Sequence, residues 1–482
     1  LSVRLVNWVI VVAYFAMTLW IGRRVGREQA GLDDYLLAGR RIPWWAASLS
    51  IVATETSTLT FVGVPGIAYA GDLTFAQVAL GYIFGRAMVA VLLVPGYFQG
   101  RISTAYEVLA VRFGGRVQSL ASLVFMVNRW LADGVRLFAT ALVLLALMPM
   151  PLPVAIAMVA GVTLYYTLRG GLRAVIWNDV IQQFIYLGGA LAAAIILLWR
   201  IPGGWRGALQ VLAPQGKLVW LNFSWDSSLP YTFWGGLIGG AVLTAATHGT
   251  DQMFVQRLLA TGSLRQGRKA LVASGIIVFA QMAFFLWIGA LLFAFYNYFP
   301  PQAPFTSGDA VFPRFIAEEL PLGLGGLVIA AVFAAAMSTL SSSLNSLAST
   351  STIDFYQRFH RGESSLDDAA AFRASRWMTA FWAVALSIIA FLAQAWGPVL
   401  QAGLTITSIT FGGVLGIFIV GQTGWRLTQG RAALALATGI AALVVVHLVG
   451  GVAWTWYTIL GATVTVVTAG LLSLLPGAAR ES

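Results

Sequence analysis

The chain has 482 residues, of which 59% are hydrophobic and only 10% charged, with a mean hydropathy of +0.82. No soluble core of this length hides so much apolar surface, so the composition points to a polytopic membrane protein. The net charge of +11 is scattered over many short loops, which excludes a nucleic-acid-binding face, and the absence of cysteine excludes disulfides, zinc–thiolate sites and thiol catalysis.

Apolar stretches near the roughly 20 residues needed to cross the hydrocarbon recur along the chain and predict about 13 spans. The first five are Val3 to Gly22, Trp44 to Tyr69, Leu73 to Phe98, Gln118 to Leu147 and Leu152 to Leu168. Asp179 to Trp199, Tyr231 to Gly249, Ala270 to Tyr296 and Leu324 to Ser349 follow. Met378 to Ala395, Val399 to Gly421, Ala432 to Gly450 and Val452 to Leu475 complete the set. The first reads as a retained span, not a cleaved leader, because it is long, lacks a basic lead-in and is followed by Arg23, Arg24 and Arg27. Basic residues then fall in alternate loops: Arg40 and Arg41 with the first group, Arg101, Arg112 and Arg116 next, then Arg169 and Arg173. By the positive-inside count these loops face the cytoplasm, which predicts an external N-terminus, a cytoplasmic C-terminus and residence in a bacterial inner membrane.

Three segments depart from plain spans. The second carries Thr54, Glu55, Thr56, Ser57, Thr58 and Thr60 near its middle, with Gly63, Pro65 and Gly66 just beyond. Freed carbonyls at membrane depth are tolerated only where they face protein, water or an ion, so this segment reads as a discontinuous helix lining a site. Five spans later, and crossing the opposite way, Tyr231 to Arg257 joins glycines to Thr244, Thr247, His248, Thr250 and Asp251. Two interrupted helices at that offset fit an inverted-repeat transporter, while the GxxxG spacings of Gly235 with Gly239 and Gly236 with Gly240 fit close packing equally well. In the third, Ala335, Ser338, Ser342, Asn345 and Ser349 share one helical face. Neutral oxygens on such a face suit a small hard cation. No HExxH, GxSxG or P-loop pattern occurs, and His248, His360 and His447 are too far apart for a metal box, so an enzyme is not expected.

With these segments in hand, the chain resembles the sodium/solute symporter family over nearly its full length. The motifs are ATETSTLTFVGVPG from Ala53, RGGLRAVIWNDVIQQ at 169–183, TDQMFVQRLLA at 250–260 and AAAMSTLSSSLNSLAST at 334–350. The resemblance implies an all-α leucine-transporter-like fold in a single membrane domain. Residues 43–199 and 230–421 would be two inverted five-helix repeats with broken first helices. Residues 1–42 would hold one extra span and its loop, and 431–475 two more.

Carried over residue by residue, the family's main sodium site falls on the carbonyls of Ala53, Thr56 and Ala335 and the hydroxyls of Ser338 and Thr339. Those hydroxyls have a second option, the carbonyls of their own preceding turn. A second sodium, held in some relatives, would use Asp179, Ser341 and Ser342; a solvated carboxylate at a helix start is the other reading of Asp179. The solute positions map to Ser57, Thr60, Phe75, Gln77, Thr244, Thr247 and His248, beside Glu55. Na+ and a small organic solute are thus the implied ligands, with the bilayer as surroundings and no obligate protein partner.

Glu55, Asp133, Arg129 and Arg136, with Arg86, are charges at membrane depth and must be paired or wet. Spacings of three and four residues make Arg129, Asp133 and Arg136 a self-neutralising cluster, whereas Glu55 has no local partner. Sialic acid-binding relatives carry arginine at the position of Ala132, so a neutral sugar or polyol is the expected solute. Proton coupling through Glu55 or Asp133 is the alternative, and a membrane sensor or scaffold a more distant one.

Overall fold

Apolar side chains in lipid leave backbone polar groups no partner but each other, and the chain answers with helices throughout. The computed structural model describes residues 3–26, 31–100, 102–148, 150–305, 307–321, 323–359, 368–395 and 399–476. Arg27, Arg101 and His360 lie outside them. Among the described residues every regular element is helical. The principal helices are α1 (Val3–Val25), α2 (Trp44–Glu55), α3 (Thr58–Ala70), α4 (Ala76–Leu92), α5 (Gly115–Leu147), α6 (Leu152–Arg200) and α7 (Gly240–Thr250). After them come α8 (Gln252–Leu259), α9 (Leu264–Tyr298), α10 (Leu324–Thr350), α11 (Asp368–Leu392), α12 (Val399–Gln422), α13 (Gln429–Val449) and α14 (Tyr457–Ser473).

Each of the predicted spans falls largely within helix. Helix α6 covers two of them and is divided at Gly171, whose φ of 50° and ψ of −153° leave helical geometry. The second predicted span is indeed broken: α2 and α3 meet at 65°. The break falls at Thr56 and Ser57, whereas Pro65 is carried inside α3. Gly66 serves a close approach instead, since a Cβ there would lie 2.7 Å from the Gly308 backbone.

In the Tyr231–Arg257 segment, glycine packing and helix interruption prove to be separate features. Gly81 and Gly85 of α4 face the stretch from Gly236 to Ala241, where a Cβ on Gly81 would lie 2.6 Å from the Gly236 carbonyl. The interruption lies further on, at Asp251, an extended residue (φ −90°, ψ 124°) between α7 and α8. Its side chain accepts from Met253 N at 2.8 Å and caps α8.

Helix α10 sits at the centre. Every residue from Val328 to Thr350 is buried, so the serine stripe and the face opposite it both meet protein. Around the periphery, Val12, Trp20, Phe184, Trp199, Phe381 and Leu448 are exposed, as lipid-facing side chains are.

Candidate functional site

Where α2 ends, Ser57 N donates to the Glu55 carbonyl at 3.0 Å instead of continuing the helix to Ala53. The carbonyls so released turn to α10. Ser338 Oγ donates to the carbonyls of Ala53 (2.9 Å) and Ala335 (3.0 Å), and Thr339 Oγ1 to those of Thr54 (3.0 Å) and Ala335 (3.4 Å). Ala53, Ala335, Ser338 and Thr339, which the resemblance assigns to one site, therefore lie together, each hydroxyl reaching both a carbonyl of α2 and the Ala335 carbonyl of its own preceding turn. The Thr54 carbonyl joins them unpredicted. Thr56 has turned its hydroxyl away, onto the Val52 carbonyl at 2.8 Å and under the Gln281 amide, so only its carbonyl remains for a cation.

Asp179 is fully buried within α6, not solvated at a helix start. Its Oδ2 accepts from Ser50 Oγ (2.5 Å), Thr54 Oγ1 (3.4 Å) and Arg257 Nη2 (3.1 Å). Arg257 also donates to Ser342 Oγ and, through Nε, to Ser50 Oγ at 2.7 Å. Ser342 and Ser341 both donate to the Ser338 carbonyl, at 2.6 and 3.1 Å. The other carboxylate oxygen, Asp179 Oδ1, is buried without a hydrogen-bond partner.

Beside the helix break lies a cavity of about 180 Å³ lined by Glu55, Ser57, Thr60, Phe75, Thr247 and His248. Six of the predicted solute positions are thus brought together. Two are not. Gln77 is buried at the start of α4 and ties down the distant loop between α6 and α7, donating to the Tyr231 carbonyl at 3.2 Å and accepting from Asn222 N at 3.0 Å. Thr244 lies behind the wall, where its hydroxyl meets Arg86 Nε at 3.4 Å and His248 Nδ1 at 3.1 Å.

Glu55 does have a partner, supplied from another helix: Arg86, fully buried on α4. Sequence spacing could not show this, because the pair is closed by packing of α4 against the break. The cavity also contains Arg129 and Arg136, expected only as members of a packing cluster, and Tyr82, Tyr231 and Trp454, which no motif marked. Asp133 pairs with Arg136 and, at 3.4 Å, with Arg129, and also accepts from Ser343. Both carboxylates named as proton carriers in the alternative reading therefore sit in ion pairs.

A larger cavity of about 1,260 Å³ adjoins the first and shares Leu59, Gly63, Tyr231 and Trp454 with it. On the other side the path is closed by α8. Gln256 Nε2 donates to Asn345 Oδ1 at 2.8 Å, Gln252 Nε2 lies 3.3 Å from Ser349 Oγ, and Phe254 stacks on His248 at 4.0 Å.

A broken helix whose loosened carbonyls meet hydroxyls of a central helix, next to a small cavity with charged and hydroxyl-bearing side chains in its wall, defines an ion-coupled secondary transporter of the leucine-transporter-like class. Comparison with known proteins agrees. The model of the sodium:solute symporter family matches residues 35–439. The sodium/sialic acid symporter SiaT of Proteus mirabilis (strain HI4320) is 30% identical over 97% of this chain and 94% of its own length. A solved substrate-bound, outward-open Na+-coupled sialic acid symporter superposes with a TM-score of 0.88 at 28% identity, covering 97% of each chain. A nucleobase-cation-symport-1 family transporter in a closed conformation shares the fold at 14% identity and a TM-score of 0.60, over 92% of this chain and 96% of its own. The chain belongs to the sodium:solute symporter family and is a multi-pass, sodium-coupled transporter working by alternating access, not an enzyme.

Proposed function

We propose that the chain imports a small organic acid of the sialic acid kind together with sodium, in place of the neutral sugar or polyol expected at first. The carrying observation is Arg136. Its side chain is 21% exposed on the cavity wall and its hydrogen bond to Asp133 uses one of five N–H donors. Its charge is met by Asp133, but the free donors of the guanidinium face a small cavity at membrane depth, and such a fork suits a carboxylate. Ala132, the expected place for a carboxylate-binding arginine, is fully buried, and Arg136 stands one turn further along the same face. The names of the similar sialic acid symporters support the same class of solute.

In this reading one sodium is held by the carbonyls of Ala53, Thr56 and Ala335 and the hydroxyls of Ser338 and Thr339. A second lies at Asp179, Ser341 and Ser342, supported by the unpartnered Asp179 Oδ1. The solute contacts Arg136, Glu55, Ser57, Thr60 and Thr247 in the smaller cavity. Two sodium ions with one anion carry one net positive charge inward, worth about 2.3 kcal/mol per 100 mV. With the basic loops cytoplasmic in a bacterial inner membrane, the larger cavity is the external vestibule and the state is outward-facing. Rocking of the repeats 43–199 and 230–421 then exposes the site inward, and sodium biases that equilibrium through its differential affinity for the two states.

The test is uptake of labelled sialic acid into proteoliposomes under an inward sodium gradient. Sodium-dependent uptake that drops at least about tenfold in Arg136→Gln supports the reading, each such factor being 1.4 kcal/mol of lost binding. Sodium-driven uptake of a neutral sugar with none of sialic acid refutes it.

A further inference from the structure

Glu55 and Arg86 form a pair with two unlike sides. On the buried side, Arg86 is fully enclosed and its guanidinium is committed: Nη2 to Glu55 Oε2, Nη1 to Ser274 Oγ at 2.7 Å, and Nε towards Thr244 Oγ1 at 3.4 Å. His248 Nε2 lies 3.6 Å from the same carboxylate oxygen, and Nδ1 is held by the hydroxyls of Thr244 (3.1 Å) and Thr247 (3.0 Å). On the cavity side, Glu55 is 16% exposed. The contacts to its carboxylate fall on Oε2, so Oε1 is the acceptor presented to a solute. His248 Nε2, beside it, is buried and has no hydrogen-bond partner.

A lone carboxylate at this depth would select a cation. Arg86 cancels that charge and leaves a fixed, strong acceptor with nothing left to neutralise. Such an acceptor takes neutral O–H donors. An ammonium group would be a surplus cation beside Arg86 and Arg136. A ligand without donors leaves Glu55 Oε1 and His248 Nε2 stripped of water and unpaired, which is how a polar site rejects an apolar analogue.

We propose that Glu55 selects hydroxyl groups on the solute and that Arg86 is the residue positioning it. This rests on the anionic reading above and narrows it: the transported acid carries hydroxyls besides its carboxylate, and acids without them are excluded.

The test uses two acids on one ring, quinate (hydroxylated) and cyclohexanecarboxylate (bare), with the purified full-length chain in sodium, read by thermal stabilisation. Wild type should bind quinate at least about tenfold more tightly than the bare acid. In Glu55→Gln/Arg86→Met, which removes both charges and leaves no lone buried ion, the preference should fall below about threefold. Arg86→Lys, which keeps the positive charge beside Glu55, should restore most of it. A wild-type preference that survives in the double variant, or no preference in wild type, overturns the proposal while the anionic reading stands. If neither acid nor sialic acid stabilises wild type but a neutral sugar does, both fall together.

Discussion

Arg129 on α5 donates through Nε to Asp251 Oδ2 at 3.0 Å, and Asp251 is the extended residue at which α7 gives way to α8. Arg129 also lines the solute cavity and shares Asp133 with Arg136, so charge alternates from the cavity wall to the helix break. This pair therefore ties the closing helix α8 to the wall that meets the solute. Asp251→Asn keeps a side-chain oxygen for the cap on Met253 N but loses the ion pair, and breaking a buried pair costs about 3–5 kcal/mol. The chain has no native cysteine, so Ser349→Cys, opposite Gln252, gives a clean reporter. Asp251→Asn should speed its modification by a small thiol reagent at least about tenfold. An unchanged rate would show that Arg129 does not hold α8 closed.

The hydroxyls of Ser338 and Thr339 reach carbonyls in the last turn of α2, and in the proposed cage each would offer its oxygen to sodium. Replacing either by alanine removes one ligand and leaves the Ala53 or Thr54 carbonyl unpartnered. The sodium concentration for half-maximal uptake should rise at least about tenfold in Ser338→Ala and in Thr339→Ala, each factor of ten being 1.4 kcal/mol. Thr339→Ser should restore it, because the oxygen returns. A sodium titration with the same midpoint in both alanine variants would remove these residues from the site.

What the sequence revealed follows from how local each signal is. That the second span is broken, and that α10 has a serine face, was legible because hydroxyls crowded into an apolar run are costly unless something polar meets them. The place of the break was not, since Pro65 and Gly66 signal one too and both lie inside α3. The partner of Glu55 was not legible, since Arg86 reaches it only through the packing of α4, thirty-one positions away. Gln77 and Thr244 look like solute residues by position, yet each is consumed by a neighbour: one by a loop, the other by Arg86 and His248. The glycines of 235–240 carried two readings, and only the facing glycines of α4 decide for packing.

Asp179 carries two demands at once: Oδ2 holds Arg257, and Oδ1 is free for the second sodium of the proposed scheme. Asp179→Asn should lower the Hill coefficient for sodium from about 2 to about 1. It also leaves Arg257 buried without a counter-charge, a loss of about 3–5 kcal/mol in stability. Asp179→Asn/Arg257→Gln removes that burden and should recover stability while the Hill coefficient stays near 1. A coefficient still near 2 in the double variant would eliminate Asp179 as a sodium ligand.

Gly85 precedes Arg86 on the face of α4 that meets α7, and a Cβ there would lie 2.1 Å from the Ala241 carbonyl and 2.2 Å from Thr244 Cγ2. Neither neighbour can yield without moving α7, because one is backbone and the other carries the hydroxyl that supports Arg86 and His248. Gly85→Ala should therefore cost about 1–3 kcal/mol, as overpacking does. Gly188, within α6, has nothing within 4 Å of its would-be Cβ, so Gly188→Ala should be neutral or stabilising by up to about 1 kcal/mol. Thermal melts of the two variants in the same detergent make the comparison. Because the Gly85 contact sets the spacing between α4 and α7, its loss should also weaken solute binding, by withdrawing Arg86 from Glu55; equal Tm and equal affinity in the two variants would show that α4 and α7 do not need this close approach.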